Sequence, residues 1–340
     1  MQQPMNAVSC RILKPAATPE WAEWDHFVRQ APSGTVYHTS EWLFALAEGM
    51  RQDIRAHTAS VSGAIRAGVV VRAGTRFGLV VGRKPWATAY NGIVCAEDED
   101  PGCVRNLLRD LVVRYSYVRL VHPPAAGAVD RHAVGWETKL GKTPVVDISD
   151  LDKLWHSFDR RVRQRVRKAT SLGVTVADTD SSGTFFDLYR MTYVRQGIAM
   201  PLPKKDVETT LDLARQQGAI KVFVARNESG EPAAGLVVGA DAKRAYFMLA
   251  GSDPEHRKSD AMTLLWWRVM QKYAETHTEI DLVGMGIPSI DRFKLTFSPS
   301  IAPVLDTWRY ASTCAKAMLV AGEGARKVIQ QIRNRCRARV

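Results

Sequence analysis

A cluster of basic side chains between residues 160 and 168 has the composition of a phosphate-binding surface. Six of these nine positions are basic and none is acidic, namely Arg160, Arg161, Arg163, Arg165, Arg167 and Lys168. On a basic helix face that only contacts solvent, acidic residues normally lie one turn away from the basic ones as ion-pair partners. Guanidinium groups match phosphate oxygens in bidentate fashion. The cluster therefore indicates a phosphate-bearing ligand, such as a nucleotide-linked sugar or the acceptor arm of a tRNA; a solvated basic face is the alternative.

An amphipathic helix predicted from Asp152 to Thr170 positions this cluster. Its apolar residues recur every four positions and form one stripe that faces a core. The stripe consists of Leu154, Phe158, Val162 and Val166. We expect the basic side chains around this stripe to line the cleft between two domains, where ligands usually bind.

The sequence shows no nucleophile motif and no metal-ligand motif. It contains no Gly-x-Ser-x-Gly, no cysteine beside a histidine motif and no His-x-x-x-His, and its eight histidines are scattered singly. The five cysteines are odd in number and include no Cys-x-x-Cys pair. This pattern predicts neither a disulfide framework nor a zinc site, and it suits a reducing cytoplasm.

The composition is that of an ordinary soluble globular protein. The 340 residues are 46% hydrophobic and 24% charged, and the length suffices for two domains. No run approaches the roughly 20 apolar residues that a membrane span requires. The N-terminus lacks the basic and apolar regions of a signal peptide. We therefore expect a cytoplasmic protein.

Half of the net charge of +12 lies in a short C-terminal segment. Residues 313–340 carry seven basic side chains against one acid, Glu323, which gives +6. The basic residues are Lys316, Arg326, Lys327, Arg333, Arg335, Arg337 and Arg339, and the apolar residues among them include Val328, Ile329 and Ile332. The pattern predicts a basic amphipathic tail that rests on anionic lipid at the inner membrane face or guides RNA. A solvated tail is the alternative.

The first half of the chain reads as mixed α/β. Helices are predicted at 18–30 and 40–50, with N-caps at Thr18 and Ser40. The later predicted elements are strands at 64–74, 76–82 and 91–96, a helix at 103–116 and a strand at 117–124. A stretch rich in small residues, proline and glycine at 123–135 predicts a surface crossing near a domain boundary.

The second half repeats this order more clearly. Three antiparallel strands with two tight turns are predicted within 219–252, then a long helix at 258–277. Trp266 and Trp267 of this helix are expected in the core. The other predicted elements are strands at 143–149, 174–178, 279–284 and near 304–310, and helices at 185–196 and 205–217.

Several motifs in this half resemble those of the FemAB-like, or Fem-type, acyltransferases of the GNAT superfamily. They are FDRRVRQRVRKATSLGVTV over the basic helix, YFMLAGSDPEHRKSDAMTLLWW before the long helix, and DLVGMG and DRFKLTF after it. YHTSEWL and PWATAYNGIV fit the first half more loosely. The resemblance implies an α/β (α+β) fold of tandem GNAT-like domains, each a mostly antiparallel mixed sheet flanked by helices. We expect an N-terminal domain at 1–140, a C-terminal domain at 141–312 and the basic tail at 313–340.

The resemblance also implies site residues. Phe293 and Lys294 fall where the family carries a Phe-Lys pair, whose lysine stabilises the oxyanion or the leaving group. A fixed cation suits the negative charge that develops in acyl transfer to an amine. Tyr90 and Asn91, within PWATAYNGIV, are the expected substrate-binding residues of the first half. An exposed helix lysine is the alternative for Lys294.

The segment from Arg257 to Met262 bears on the acyl donor. GNAT enzymes place a glycine-rich loop here, whose N–H groups hold the pyrophosphate of coenzyme A. This segment contains no glycine and carries Asp260. That departure favours another carrier, and Fem-type enzymes use aminoacyl-tRNA. Arg257 is then a candidate phosphate contact, and Ser259 a helix cap.

These inferences predict an enzyme that forms an amide bond without an acyl-enzyme, by direct attack of an acceptor amine on a bound aminoacyl ester. The base is Asp260, Asp281 or the substrate itself, and no metal or tightly bound cofactor is expected. No long coiled-coil arm interrupts residues 170–220, which leaves natural-product and envelope-polymer acylation open. The alternatives are an N-acyltransferase dependent on acyl-CoA or an acyl carrier, and a non-catalytic module that binds nucleic acid or membrane.

Overall fold

The computed structural model describes residues 8–15, 19–96, 101–124, 135–195 and 197–337, with side chains as far as Ala325. Within this part of the chain, thirteen strands form one continuous sheet. The mixed α/β class expected from the sequence is confirmed, since a large and mostly antiparallel sheet is flanked by helices.

The first half of the chain contributes six strands and three helices. They are β1 (Val8–Leu13), α1 (Pro19–Gln30), α2 (Ser40–Gly49), β2 (Asp53–Val61), β3 (Ala64–Arg76), β4 (Leu79–Arg83), β5 (Val94–Cys95), α3 (Pro101–Arg114) and β6 (Tyr117–Val121). A short 3-10 turn, Val36–His38, precedes α2.

The second half contributes the remaining elements. They are β7 (Glu137–Asp147), α4 (Leu151–Ser157), α5 (Arg160–Ser171), β8 (Thr175–Asp178), α6 (Ser182–Val194), α7 (Lys204–Gln216), β9 (Ile220–Arg226), β10 (Pro232–Ala240), β11 (Ala245–Ser252), α8 (Ala261–Tyr273), β12 (Glu279–Asp281), α9 (Pro288–Leu295), β13 (Ser300–Tyr310) and α10 (Thr313–Arg337).

The strand order reveals an internal repeat. It runs β1-β2-β3-β4-β6-β13 and then β7-β12-β11-β10-β9-β8, so each half is six strands long. In the first half, α3 connects β4 to its parallel neighbour β6, and in the second half α8 connects β11 to its parallel neighbour β12. Parallel neighbours require such a crossover helix. Each of these parallel pairs is in register over only two residues.

The last strand joins the two halves. β13 pairs antiparallel with β6 on one side and with β7 on the other, from Ser300 opposite Val145 to Trp308 opposite Glu137. The expected boundary at 140/141 therefore falls inside β7, and β13 completes the half that precedes it in sequence. The division into domains at these residues stays a prediction, because the sheet runs across it without a break.

Three buried clusters fill the space between sheet and helices. One lies under α3 in the first half, and one lies between the sheet and α5 and α8 in the second. The third combines α1 and α2 with α6 and α7, around Trp24, Trp42 and Phe185. This shared core fixes the position of one half relative to the other.

The expected helix from Asp152 to Thr170 is in fact two helices. Phe158 has an extended backbone, and the side chain of Asp159 accepts a hydrogen bond from the N–H of Arg161, which starts α5. All four residues of the predicted apolar stripe are buried, and so are Trp266 and Trp267. The stripe continues across the break because Phe158 still packs against Trp267.

The predicted N-cap of α2 was wrong, and two strands were not predicted. Thr39, not Ser40, is the N-cap of α2, and Ser40 instead donates from its backbone N–H to Asp25. Thr18 lies outside the described residues. Strands β1 and β2 were absent from the sequence-based prediction. In the described part of the chain, no helix is both long and apolar enough to cross a membrane.

Close packing of α6 on β11 makes a stability prediction. A Cβ atom at Gly251 would stand 2.5 Å from the Leu188 carbonyl and from the Cα of Tyr189. Gly251→Ala should therefore lower the free energy of unfolding by about 1–3 kcal/mol, the usual cost of overpacking. Gly74→Ala is the control, because nothing lies within 4 Å of a Cβ there. Equal urea midpoints for the two variants would contradict this packing.

Candidate functional site

The parallel strands β11 and β12 separate at their C-terminal ends. They pair only at Ala245 with Ile280 and at Tyr246 with Asp281. β11 then continues to Ser252 beside β10, whereas β12 ends at Asp281. The pairing stops there, which leaves an opening in the hydrogen bonding of the sheet between β11 and the residues that follow Asp281. A gap between diverging strands at a crossover is a usual place for a ligand in an open α/β sheet.

Asp281 places a buried carboxylate at this opening. Its side chain is 0% exposed. Oδ2 accepts a hydrogen bond from the hydroxyl of Tyr90 (2.6 Å), and Oδ1 accepts from the hydroxyl of Thr143 (2.5 Å) and from the N–H of Val283 (2.7 Å). Tyr90 belongs to the first half of the chain and Thr143 to β7. Three separate segments therefore meet at one carboxylate.

Burial is the main influence on the ionisation of this group. Loss of solvent raises the pKa of Asp281, and the hydrogen bonds from Thr143 and Tyr90 oppose that rise. Burial likewise raises the pKa of Tyr90, with a further contribution from the Asp281 carboxylate. A carboxyl group tuned in this way, beside an opening, is typical of a site that handles protons.

Lys294 lies on the other side of the same turn. It is 9% exposed, and its Nζ donates to the carbonyls of Val283 and Gly284, each at 2.7 Å. Burial lowers the pKa of this lysine, whereas the carboxylates of Asp291 and Asp281 raise it. The alternative of an exposed helix lysine is therefore wrong. The two carbonyls use two of the three N–H groups of the ammonium and leave a third as a donor.

The turn that Lys294 holds is strained. Val283 has a φ of +56°, a left-handed conformation that is rare for a β-branched residue. Gly284 (φ +67°) and Gly286 (φ +139°) continue the irregular backbone. The N–H of Gly284 donates to the Thr143 hydroxyl, so both ends of the turn are tied to the Asp281 cluster. Strain that neighbouring contacts maintain in this way is characteristic of functional sites.

A tyrosine that the sequence-based prediction missed lies beside this cluster. The ring of Tyr37 contacts Tyr90 and Tyr246 edge-on, with centroids 5.9 and 5.2 Å apart. Its hydroxyl is buried and has no hydrogen-bond partner in the part of the chain that the structure describes. Burial raises the pKa of Tyr37, and the nearby Asp281 carboxylate adds to the effect. Tyr37 lies in the motif YHTSEWL, which was noted in the sequence, but the motif assigned no role to this tyrosine.

The basic helix α5 lies against the start of α8. Lys168 donates to Asp260 (3.0 Å), and Arg165 lies 3.7 Å from the same carboxylate. Asp260 was named from the sequence, but its pairing with the basic helix was not predicted because it lies at the start of another helix. Among the described contacts, Arg160, Arg163 and Arg167 form no ion pair, so these three charges remain available to a ligand.

Asp260 occupies the N-cap position of α8, but its side chain does not cap the helix. Its backbone is left-handed (φ +54°) and its side chain makes no cap hydrogen bond. The hydroxyl of Ser259 accepts from the N–H of Ala261 at 3.3 Å, a weak cap. Arg257 is exposed in a 3-10 turn just before the helix. The carboxylate of Asp260 and the basic groups around it thus occupy the N-terminal end of α8.

Two other predicted site residues make structural contacts. Asn91 is fully buried, donates to the carbonyls of Val70 and Arg119, and accepts from the N–H of Val121. It therefore ties the segment that carries Tyr90 to the sheet. Phe293 packs edge-on against Trp266, with centroids 4.9 Å apart. The functional roles predicted for both residues stay predictions.

A second basic surface, not predicted from the sequence, lines a groove between the halves. Arg51, Arg72, Arg76 and Arg83 line it, together with Leu202 and Asp206 of the second half. The Nε atoms of Arg76 and Arg83 are buried without a hydrogen-bond partner in the described structure. The segment from Arg83 to Tyr90 leads from this groove to Asp281. The described residues include no group of three or more histidine, cysteine or acidic side chains that could hold a metal.

Known proteins resemble this chain in sequence family and in fold. Residues 156–295 match the family described as "Acetyltransferase (GNAT) domain". A comparison with curated protein sequences gave no match. The FemX crystal structure is similar, with a TM-score of 0.67 and 16% identity over 86% of this chain and 96% of that one.

Two further solved structures share the fold. One is a C-terminal domain assigned to a lysylphosphatidylglycerol synthetase of Agrobacterium fabrum, with a TM-score of 0.57 and 13% identity over 90% of this chain and 96% of that one. The other is a tandem GNAT protein of the clavulanic acid biosynthesis pathway, with a TM-score of 0.54 and 10% identity over 89% and 99%. These likenesses confirm the tandem GNAT fold, which the FemX structure shares.

The raised pKa of Asp281 predicts how stability depends on pH. In the window above the ordinary aspartate pKa, the folded state holds a proton that the unfolded state has released, so stability falls as pH rises. In Asp281→Asn this side chain cannot titrate, so the stability of the variant should lack this pH-dependent contribution. The wild type should therefore lose stability relative to the variant as pH rises through this window, which urea unfolding over a pH series measures. A difference between the two proteins that does not change with pH would contradict the raised pKa.

Proposed function

We propose that this chain, whose second half is a GNAT acyltransferase domain, transfers an aminoacyl group from aminoacyl-tRNA to an amine acceptor and so forms an amide bond. The observation that carries the proposal is the placement of Asp281 and Lys294 on two sides of one strained turn at the opening between β11 and β12. A base and a cation at one reacting carbonyl are what acyl transfer to an amine needs.

In the proposed reaction, the nitrogen of the acceptor amine attacks the ester carbonyl carbon of the bound aminoacyl group. A C–N bond forms, and the C–O bond to the terminal ribose breaks. The proton leaves the amine for the Tyr90–Asp281 pair and is returned to the departing ribose oxygen. Lys294 stabilises the negative charge that develops on oxygen. No acyl-enzyme and no metal is required.

The start of α8 supports tRNA over coenzyme A as the donor. A pyrophosphate bound at this helix end would meet the carboxylate of Asp260 and would lack a glycine-rich backbone. Arg160, Arg163 and Arg167 of the adjacent helix offer unpaired charges over a wider surface, which suits an extended polyphosphate. The names of two fold neighbours, FemX and a lysylphosphatidylglycerol synthetase, are in keeping with aminoacyl transfer.

The arginine groove between the halves is the proposed docking site of the acceptor. Arg51 and Arg83 are paired with Asp206 and Glu323. Arg72 and Arg76, in contrast, have no ion-pair partner among the described residues and favour an anionic acceptor, such as a precursor that carries phosphate. An acceptor held there would reach Asp281 along the segment that ends at Tyr90. This arrangement suits envelope-polymer or natural-product acylation in the cytoplasm.

The donor is tested by incubating the protein with precharged total tRNA and, separately, with acyl-CoAs, each with a panel of primary amines. We expect amine-dependent release of the amino acid from tRNA and stoichiometric amide product. Transfer from acyl-CoA and none from charged tRNA would show that the donor is acyl-CoA and not aminoacyl-tRNA. Turnover of neither donor would favour a binding module over an enzyme.

The role of Lys294 gives a kinetic prediction. Lys294→Ala should lower kcat about a hundredfold, the scale of losing one oxyanion donor, with little change in KM. Arg292→Ala is the matched control, because it removes a positive charge from an exposed position of the same helix. Circular dichroism should show both variants folded. Full kcat in folded Lys294→Ala would remove Lys294 from the mechanism.

A further inference from the structure

The C-terminal helix α10 presents an apolar surface to solvent. Between Thr313 and Ala325 its inner side is formed by Ala315, Leu319 and Gly322, of which the first two are buried. Nine residues of this span are exposed, among which Lys316 is the one charged side chain and Thr313 the one hydroxyl, and the other seven are neither charged nor hydroxylated. They are Cys314, Ala317, Met318, Val320, Ala321, Gly324 and Ala325. A helix on the surface of a soluble domain normally turns charged residues outward.

Nearby exposed apolar residues extend this surface. The β3–β4 hairpin lies under α10, since ring atoms of Phe77 stand 2.3–2.6 Å from where a Cβ of Gly322 would be. Phe77 is 43% exposed and Val80 is 42% exposed, and Met318 and Val320 are 50% and 57% exposed. Exposed large apolar side chains on a helix and on the hairpin beneath it are typical of an interaction surface.

The charged groups of the same region are positive or already paired. Glu323 accepts from Arg83 at 2.9 Å, and Lys316 donates to Glu137 at 2.7 Å. Arg76 stacks over the ring of Phe77, 4.9 Å from its centroid. The helix backbone continues to Arg337, and the sequence beyond Ala325 adds six basic residues and no acid.

We propose that α10 and the β3–β4 hairpin form a docking surface for an anionic lipid bilayer. An apolar face rimmed by lysine and arginine is the pattern of a helix that lies in a membrane interface. The bilayer supplies both an apolar layer for the uncharged side of α10, which Met318 and Val320 border on its two edges, and a negative surface for the basic residues. This inference shares Arg76 and Arg83 with the proposed acceptor groove but no residue of the Asp281 cluster, so vesicle binding and aminoacyl transfer can fail separately.

Two other occupants fit less well. A second copy of the chain would bring together two tails that each carry +6, and like charges repel. RNA would satisfy the basic residues but would leave the apolar face of α10 exposed to water. A bilayer alone accounts for both properties of this surface.

The test is vesicle flotation of the full chain at low and high salt. Vesicles of phosphatidylcholine alone are compared with vesicles that mix phosphatidylcholine and phosphatidylglycerol in equal parts. We expect binding to the anionic vesicles that weakens with salt. Met318→Glu with Val320→Glu should weaken it about tenfold or more, because two apolar side chains no longer enter the interface.

A charge-matched control is Val113→Glu with Val194→Glu, since both valines are exposed on other helices. This control should bind as the wild type does. Equal binding to both vesicle types, or equal loss in both double variants, would overturn the proposal. So would sedimentation showing a dimer that only Met318→Glu with Val320→Glu dissociates, or tRNA binding lost in that variant while vesicle binding is kept.

Discussion

The hydrogen bond from Tyr90 to Asp281 is the interaction on which the rest of the structure depends. A buried carboxylate is tolerated only when donors satisfy it. Asp281 obtains one donor from its own turn, one from β7 and one from the first half of the chain. The protein can therefore keep this carboxylate buried only while both halves hold their relative positions.

Several features of the fold serve that requirement. β13 lies between β6 and β7 and converts two repeats into one sheet. The shared core of α1, α2, α6 and α7 covers the same junction. Asn91, the residue next to Tyr90, is fixed by three hydrogen bonds between its side chain and the backbone of neighbouring strands. Lys294 and Asp281 thus belong to the second half of the chain, and Tyr90 belongs to the first.

Much of this could be read from the sequence, for physical reasons. The apolar stripe of the basic helix, the antiparallel strands of the second half and the buried tryptophans follow from local periodicity, and they are confirmed. Strands β1 and β2 were missed because their residues are covered by helices elsewhere in the chain, Cys10 and Ala59 by α3, and Ile54 and Ala56 by α1 and α2. The break at Phe158 was missed because the stripe runs through it.

The site was less predictable because its parts come from separate segments. Lys294 was named from a motif, but its burial follows from the two carbonyls of a strained turn that no local pattern announces. The ion pair between Lys168 and Asp260 joins positions 92 residues apart. The contact of Tyr37 with Tyr246 and the arginine groove exist only once the halves meet.

A double-mutant cycle in kcat, with Tyr90→Phe, Asp281→Asn and the combined variant, tests most directly whether one centre spans the two halves. If the pair acts as a unit, the second substitution should cost little after the first, with a coupling energy of about 1 kcal/mol or more. Additive losses in folded variants would contradict the account, because Tyr90 and Asp281 would then act independently.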